Sequence, residues 1–165
     1  MITPAWCQTM AAYNAELNRR TYAAADQLTE AQRREDRGAF FGSIQATLSH
    51  LVWADHVWMS RFADWAAPVG GIDGSRTLFP EWAAMQAARI AADARIAAWT
   101  ETLDAAWLAG SHSWFSGALG REMTQPTWLL VTHMFNHQTH HRGQVHALLT
   151  GFGLKTEATD LPFVL

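Results

Sequence analysis

The chain has 165 residues, 49% of them apolar and 16% charged, with a formal net charge of −3. That length fits a single domain over residues 1–165 with a core of its own, and the interspersed acids and bases exclude the basic footprint of a nucleic-acid binder. No apolar run reaches the roughly eighteen residues that a membrane-spanning helix needs, so neither nucleic acid nor membrane is expected as a partner.

The N-terminus, Met1 to Ala5, lacks the basic stretch and apolar run of a secretory signal, and Cys7 is the only cysteine. Both features point to a cytoplasmic location, and Cys7 reads as a small buried thiol rather than a nucleophile. Thr3-Pro4 reads as a cap followed by proline in a first helical turn, which predicts a first helix to about Gln27. Leu28 to Gly42 is a polar, charged connection. Ser43 then caps a run with Ile44, Leu48, Leu51, Val52, Val57 and Trp58, giving a second helix over roughly Ser43 to Trp65.

From Ala66 to Phe79, Pro68, Gly70, Gly71 and Gly74 argue against regular structure, and Pro80 opens an alanine-rich third helix to about Leu108. The glycine-punctuated stretch Ala109 to Gln125 predicts a small β-hairpin, with His112 to Ser116 and Arg121 to Thr124 flanking Gly117 to Gly120. The fourth helix starts at Thr124 to Pro126 and ends at Gly151 and Gly153. Leu154 to Leu165, with apolar Leu161, Phe163 and Leu165, reads as an irregular tail that packs back on the helices.

Four helices with apolar stripes bury them best against one another, which predicts an all-α, four-helix bundle with a hairpin between the third and fourth helices. The linker after the second helix has 14 residues. Extended, it covers roughly 45 Å, more than the second helix's length of about 35 Å, so it can return along the bundle and leave the second and third helices parallel. The nine tryptophans are expected mainly in the core.

Four of the eight histidines fall within nine positions of the last helix: His133, His137, His140 and His141. His137 and His141 are one turn apart, a spacing that lets two imidazoles reach one ion. His133 and His141 sit about 12 Å apart along the axis, too far to share an ion with nitrogen bonds of about 2.1 Å. A third ligand must therefore come from another helix. His50 is the best placed, because it interrupts the apolar stripe of the second helix; His133 competes for that position if the helices are shifted. His56, about 240° further round beside Asp55, is expected in solvent.

The segment Leu48-Ser-His50-Leu-Val-Trp-Ala-Asp-His-Val-Trp58, followed by Asn136-His137-Gln-Thr-His-His141-Arg142-Gly143-Gln144, resembles the DinB family over essentially the whole chain, including Thr159 to Pro162. The resemblance implies an up-down-down-up four-helix bundle and a divalent metal held by His50, His137 and His141. It also implies homodimers formed by helix packing and, despite the family's name, no DNA binding. Similar proteins of the wider superfamily include thiol-dependent transferases and isomerases.

Three neutral imidazoles leave a coordination position open, unlike the closed sites of structural zinc. The donor set suits zinc, nickel, iron or copper, with nickel or zinc expected and iron the next candidate. Hydrolysis and activation of a low-molecular-weight thiol are the two natural chemistries, on a small-molecule or thiol substrate. No carboxylate sits on the ligand stripes, which leaves His133 or a residue of the linker or hairpin as proton carrier. That thinness keeps a second reading open, a non-catalytic metal-binding or stress-associated bundle. A roomy cleft with converging polar groups favours the enzyme, and a sealed site favours the alternative.

Around the ligands, Asn136 and Arg142 point about 100° away from them, so roles in helix packing are expected, with Asp55 or Asp160 as a partner for Arg142. Gly143 is expected to permit close helix contact, Gln144 to bond a ligand imidazole or line the cavity, and Trp53 to form a cavity wall or pack in the core.

Overall fold

Two of the long helices begin where the sequence supplies a side-chain acceptor for a free N–H group of the first turn. The Thr3 hydroxyl accepts from the Trp6 N–H at 3.1 Å and proline follows, which starts α1 (Pro4–Ala25). Ser43 does the same for Ala46 at the head of α3 (Ile44–Phe62). A computed structural model describes residues 1–117 and 119–165, so that Ala118 in the expected hairpin turn lies outside the described residues. The remaining elements are α2 (Glu30–Arg34), α4 (Ile72–Ser75), α5 (Trp82–Thr100), α6 (Ala105–Ala109), β1 (Ser111–Ser116), β2 (Arg121–Pro126), α7 (Thr127–Gly151) and α8 (Leu161–Val164). The chain is thus mostly helical with one antiparallel hairpin, in which Trp114 lies opposite Met123. No helix among the described residues is long and apolar enough to cross a membrane.

Four expectations need correction. The connection Leu28 to Gly42 contains α2, where the Thr29 side chain bonds the Gln32 N–H and the Gln32 side chain accepts from the Thr29 N–H, a reciprocal cap. The glycine-rich linker contains the single turn α4. The third helix stops at Thr100 instead of Leu108, and α6 begins afresh on an Asp104 cap that accepts from Trp107 at 2.7 Å. In an unbroken helix Trp99 and Trp107 would be about 12 Å apart along the axis; the break brings their ring centroids to 5.9 Å. Finally, the tail does pack back, with Leu154 against the apolar core, but it carries the short helix α8 and its later part is held by polar contacts. Tyr13 donates to the Thr159 carbonyl at 2.5 Å and Arg20 to that of Ala158 at 3.1 Å, while Leu161, Phe163 and Leu165 stay exposed.

The four long helices bury their stripes in two apolar clusters. One gathers Cys7, Met59, Phe62, Ile96, Trp99, Val131 and Phe135, and the other Tyr22, Ile44, Leu48, Leu51, Met85, Val145 and Leu149. Following the chain, α1 and α7 pass from the first cluster to the second, whereas α3 and α5 pass from the second to the first. α1 lies against α5 and α7, and α3 against the same two helices.

Between the clusters, in sequence along every helix, lies a buried polar layer. Asp55 accepts from Arg89 at 2.6 Å, Arg89 approaches Asp93 at 2.8 Å, and Asn18 donates to Asp93 at 2.9 Å. Arg142 donates to Asn14 and Gln138. Its expected partners Asp55 and Asp160 are therefore replaced by neutral side-chain oxygens, because Asp55 is already taken by Arg89. Two arginines and two aspartates enter the layer, so its net charge is balanced, as buried ions require.

Candidate metal centre

α3 and α7 meet at the level of this layer, and there His50, His137 and His141 converge. One ring nitrogen from each lies within 4.8 Å of the others. Ligand nitrogens on a tetrahedral ion with bonds of about 2.1 Å stand about 3.4 Å apart; His50 Nε2 and His137 Nε2 are 3.3 Å apart. The i, i+4 pair on α7 and the inward-facing histidine of α3 thus come together as the spacing predicts.

For two of the rings a hydrogen bond selects which nitrogen faces the centre. Ser75, in α4, donates its hydroxyl to the Ile72 carbonyl at 2.5 Å, so its oxygen is left to accept from His50 Nδ1–H at 2.9 Å. That fixes the proton on Nδ1 and leaves the Nε2 lone pair directed at the centre. Ser49 in turn donates to the Ser75 carbonyl at 2.6 Å and accepts from the Phe79 N–H, pinning the linker to α3. On α7 the Gln144 carbonyl accepts from His141 Nδ1–H at 2.8 Å, and its amide donates to His140 Nε2 at 3.3 Å. Gln144 therefore takes the ligand-bonding role foreseen for it.

Aromatic rings hold His50 on both sides. Phe41 stacks on it with centroids 4.0 Å apart, and Trp53 stands at 5.7 Å. Phe41 is delivered by a tight loop in which Gly42 has φ +83° and a Cβ would press on the Asp36 carboxylate at 3.2 Å. Burial among these rings pushes the pKa of His50 down to about 4, with His141 adding repulsion. Burial first, and then the other histidines, push that of His137 down to about 3. The His141 pKa is lowered too, by burial, against the pull of Gln144. All three are neutral at pH 7, which is the form that binds a metal, and the donor set fits one ion.

His133 does not join them. Its ring packs edge-on to Trp58 at 5.1 Å, and it lines a cleft of about 810 Å³ that opens onto His50 and His137. Trp53, Arg61, Asp73 and Trp114 also face this cleft. His56 is half-buried against Trp65, at 5.0 Å, rather than in solvent. Gly143 is exposed, and a Cβ there would meet nothing within 4 Å, so it serves no close helix contact. Asn136 is exposed as well. Cys7 is fully buried, and desolvation raises its pKa to about 11, which suits a packing role.

Sequence reasoning missed Ser75, Ser49 and Phe41. The first two lie in a linker and on a helix face where nothing in the local pattern marks a ligand's partner. Phe41 had a weak signal, an aromatic directly before the Gly42-Ser43 helix start.

The model of the DinB family matches residues 1–165. A search of curated proteins finds no relative of this chain.

Proposed function

The chain belongs to the DinB family, and from that premise we propose that it is a metal-dependent enzyme, a hydrolase or a low-molecular-weight-thiol transferase, in which His50, His137 and His141 hold one divalent ion. We read its four long helices as an up-down-down-up bundle, supported by the opposite order in which α1 and α7, against α3 and α5, pass the two apolar clusters. Nickel or zinc suits three imidazole nitrogens, with iron the next candidate.

The observation that carries the catalytic reading is the cleft: about 810 Å³ of space reaches two of the three histidines, within the range of small-molecule sites, and polar groups converge on it. A merely structural site has no need of that access. A bound divalent ion supplies Lewis-acid polarisation and brings the pKa of water or a thiol toward neutrality. The chain's own residues supply the rest. Ser75 and Gln144 hold two rings in one tautomer, so the ligand nitrogens need no reorganisation. Phe41 and Trp53 keep water off the His50 ring. His133 and Asp73, at the cleft wall, are the groups placed to accept or carry a proton, and desolvation and the Arg61 charge lower the His133 pKa, which keeps its ring in the neutral, proton-accepting form.

The test is reconstitution of metal-free protein with nickel, zinc or iron(II), followed by a screen of esters and of small thiols with electrophiles. Turnover that requires metal and is lost in His137→Ala supports the reading. Full metal loading with no turnover across the screen contradicts it in favour of a non-catalytic bundle.

A further inference from the structure

The far end of the cleft carries a cation without a counter-ion. Arg61 lies on α3 eleven residues after His50, hence on the same stripe within about 20° and about 16 Å further along the axis. Its guanidinium lies over the Trp58 ring, 4.5 Å from the centroid, and 5.5 Å from that of Trp114 on β1. Trp58 and Trp114 meet edge to face at 6.0 Å, and Trp58 also packs on His133, so the arginine is held by rings from α3, the hairpin and α7. Among the described residues no carboxylate lies within 4.0 Å of it, although other arginines of the chain do pair with acids. Asp73 stands on the cleft's lining too, but makes no such pair. Burial without a partner ion lowers the Arg61 pKa, while its planar, always-charged fork is suited to a carboxylate or another oxyanion.

Resting on the reading of this cleft as a substrate site, we propose that it takes a small amphipathic acid, whose anionic group is bound by Arg61 and whose apolar body lies along Trp53, Val57 and Trp58 with its other end toward the histidines. The Arg61 guanidinium leans back over Trp58, about one turn toward the histidines, which shortens the span to them. Arg61 is a binding and specificity residue in this account. The walls recognise the apolar body without direction, and Arg61, the one arginine or lysine on the described lining beside the anionic Asp73, sets which end faces the histidines.

The experiment uses 3-phenylpropionate and its neutral amide, 3-phenylpropanamide, as probes, titrated into the full-length protein after metal removal and followed by tryptophan fluorescence and calorimetry. The expected result is an acid bound about tenfold or more tighter than the amide, a preference lost in Arg61→Gln and partly kept in Arg61→Lys. Equal binding of the two probes overturns the proposal, as does a preference that survives in Arg61→Gln. So does a preference seen only in metal-loaded protein, which would put the carboxylate on the ion. Arg61→Gln should keep the wild-type metal content, so that a lost acid preference with metal retained is assigned to Arg61, whereas loss of metal in this variant overturns the assignment of Arg61 to substrate binding alone.

Discussion

His50 Nδ1 lies 2.9 Å from the Ser75 oxygen, and the Ser75 hydroxyl is already donated to the Ile72 carbonyl. The two bonds together leave one arrangement for the proton, on Nδ1, and one direction for the ring's remaining lone pair. A linker residue therefore decides how a helix residue presents itself, although the two are 25 positions apart.

Ser75→Ala removes that acceptor while leaving the three histidines in place. Metal affinity should fall by about 10- to 100-fold, the usual cost of losing such a partner. The helical circular dichroism should be unchanged. Competition against a chelator of known affinity measures the effect, and wild-type affinity in Ser75→Ala would show that the bond does not orient His50.

The pH dependence of the metal-free protein follows from the lowered histidines. Above about 6.5 the imidazoles are neutral in both folded and unfolded chains, so they contribute no slope. Below it the unfolded chain takes up protons that the folded one resists, so stability falls with pH until the folded values, about 4 for His50 and about 3 for His137, are reached. In chelator, the melting temperature should drop between about pH 6.5 and 5, and a His50→Gln, His137→Gln double variant should show a shallower drop. A slope unaltered by the double substitution would show that these rings are not desolvated.

Asp55 and Arg89 are both buried, at 1% and 2% exposure, and 2.6 Å apart. Arg89 also holds Asp93, at 2.8 Å, so Arg89→Met strands two buried carboxylates and should cost about 3–5 kcal/mol by urea denaturation. The triple variant Asp55→Leu, Arg89→Met, Asp93→Asn leaves no unpaired charge at these three positions and should lose less than Arg89→Met alone. A triple variant less stable than the single one would mean that the cluster contributes more than mutual neutralisation.

The three-histidine cluster was largely legible because its determinants are periodic. An i, i+4 pair on one helix and one histidine on another helix's apolar stripe are properties that 100° per residue places without tertiary knowledge. Ser75 and Phe41 were not legible, since their role depends on where two irregular segments lie against α3, and no local pattern states that. The break after Thr100 is of the same kind. Its sequence has neither glycine nor proline, and what bends the chain is the gain from packing Trp107 and Leu108 into the cluster around Phe62 and Trp99. The α2 helix, by contrast, carries a local signal that the reading of Leu28 to Gly42 as a plain connection passed over, the Thr29-x-x-Gln32 cap. Arg142 went to Asn14 and Gln138 rather than Asp55 because the competing cation, Arg89, sits on a helix whose facing could not be fixed from α7 alone.

The central claim is that His50, His137 and His141 hold one ion, and elemental analysis of the purified chain, made without a histidine tag, tests it most directly. The account predicts about one divalent transition-metal ion per chain, given that three neutral imidazoles suffice for a site. It predicts essentially none in His137→Ala or His141→Ala, and an unchanged ratio in His56→Ala and His146→Ala. A His137→Ala protein that keeps the wild-type metal ratio would contradict it.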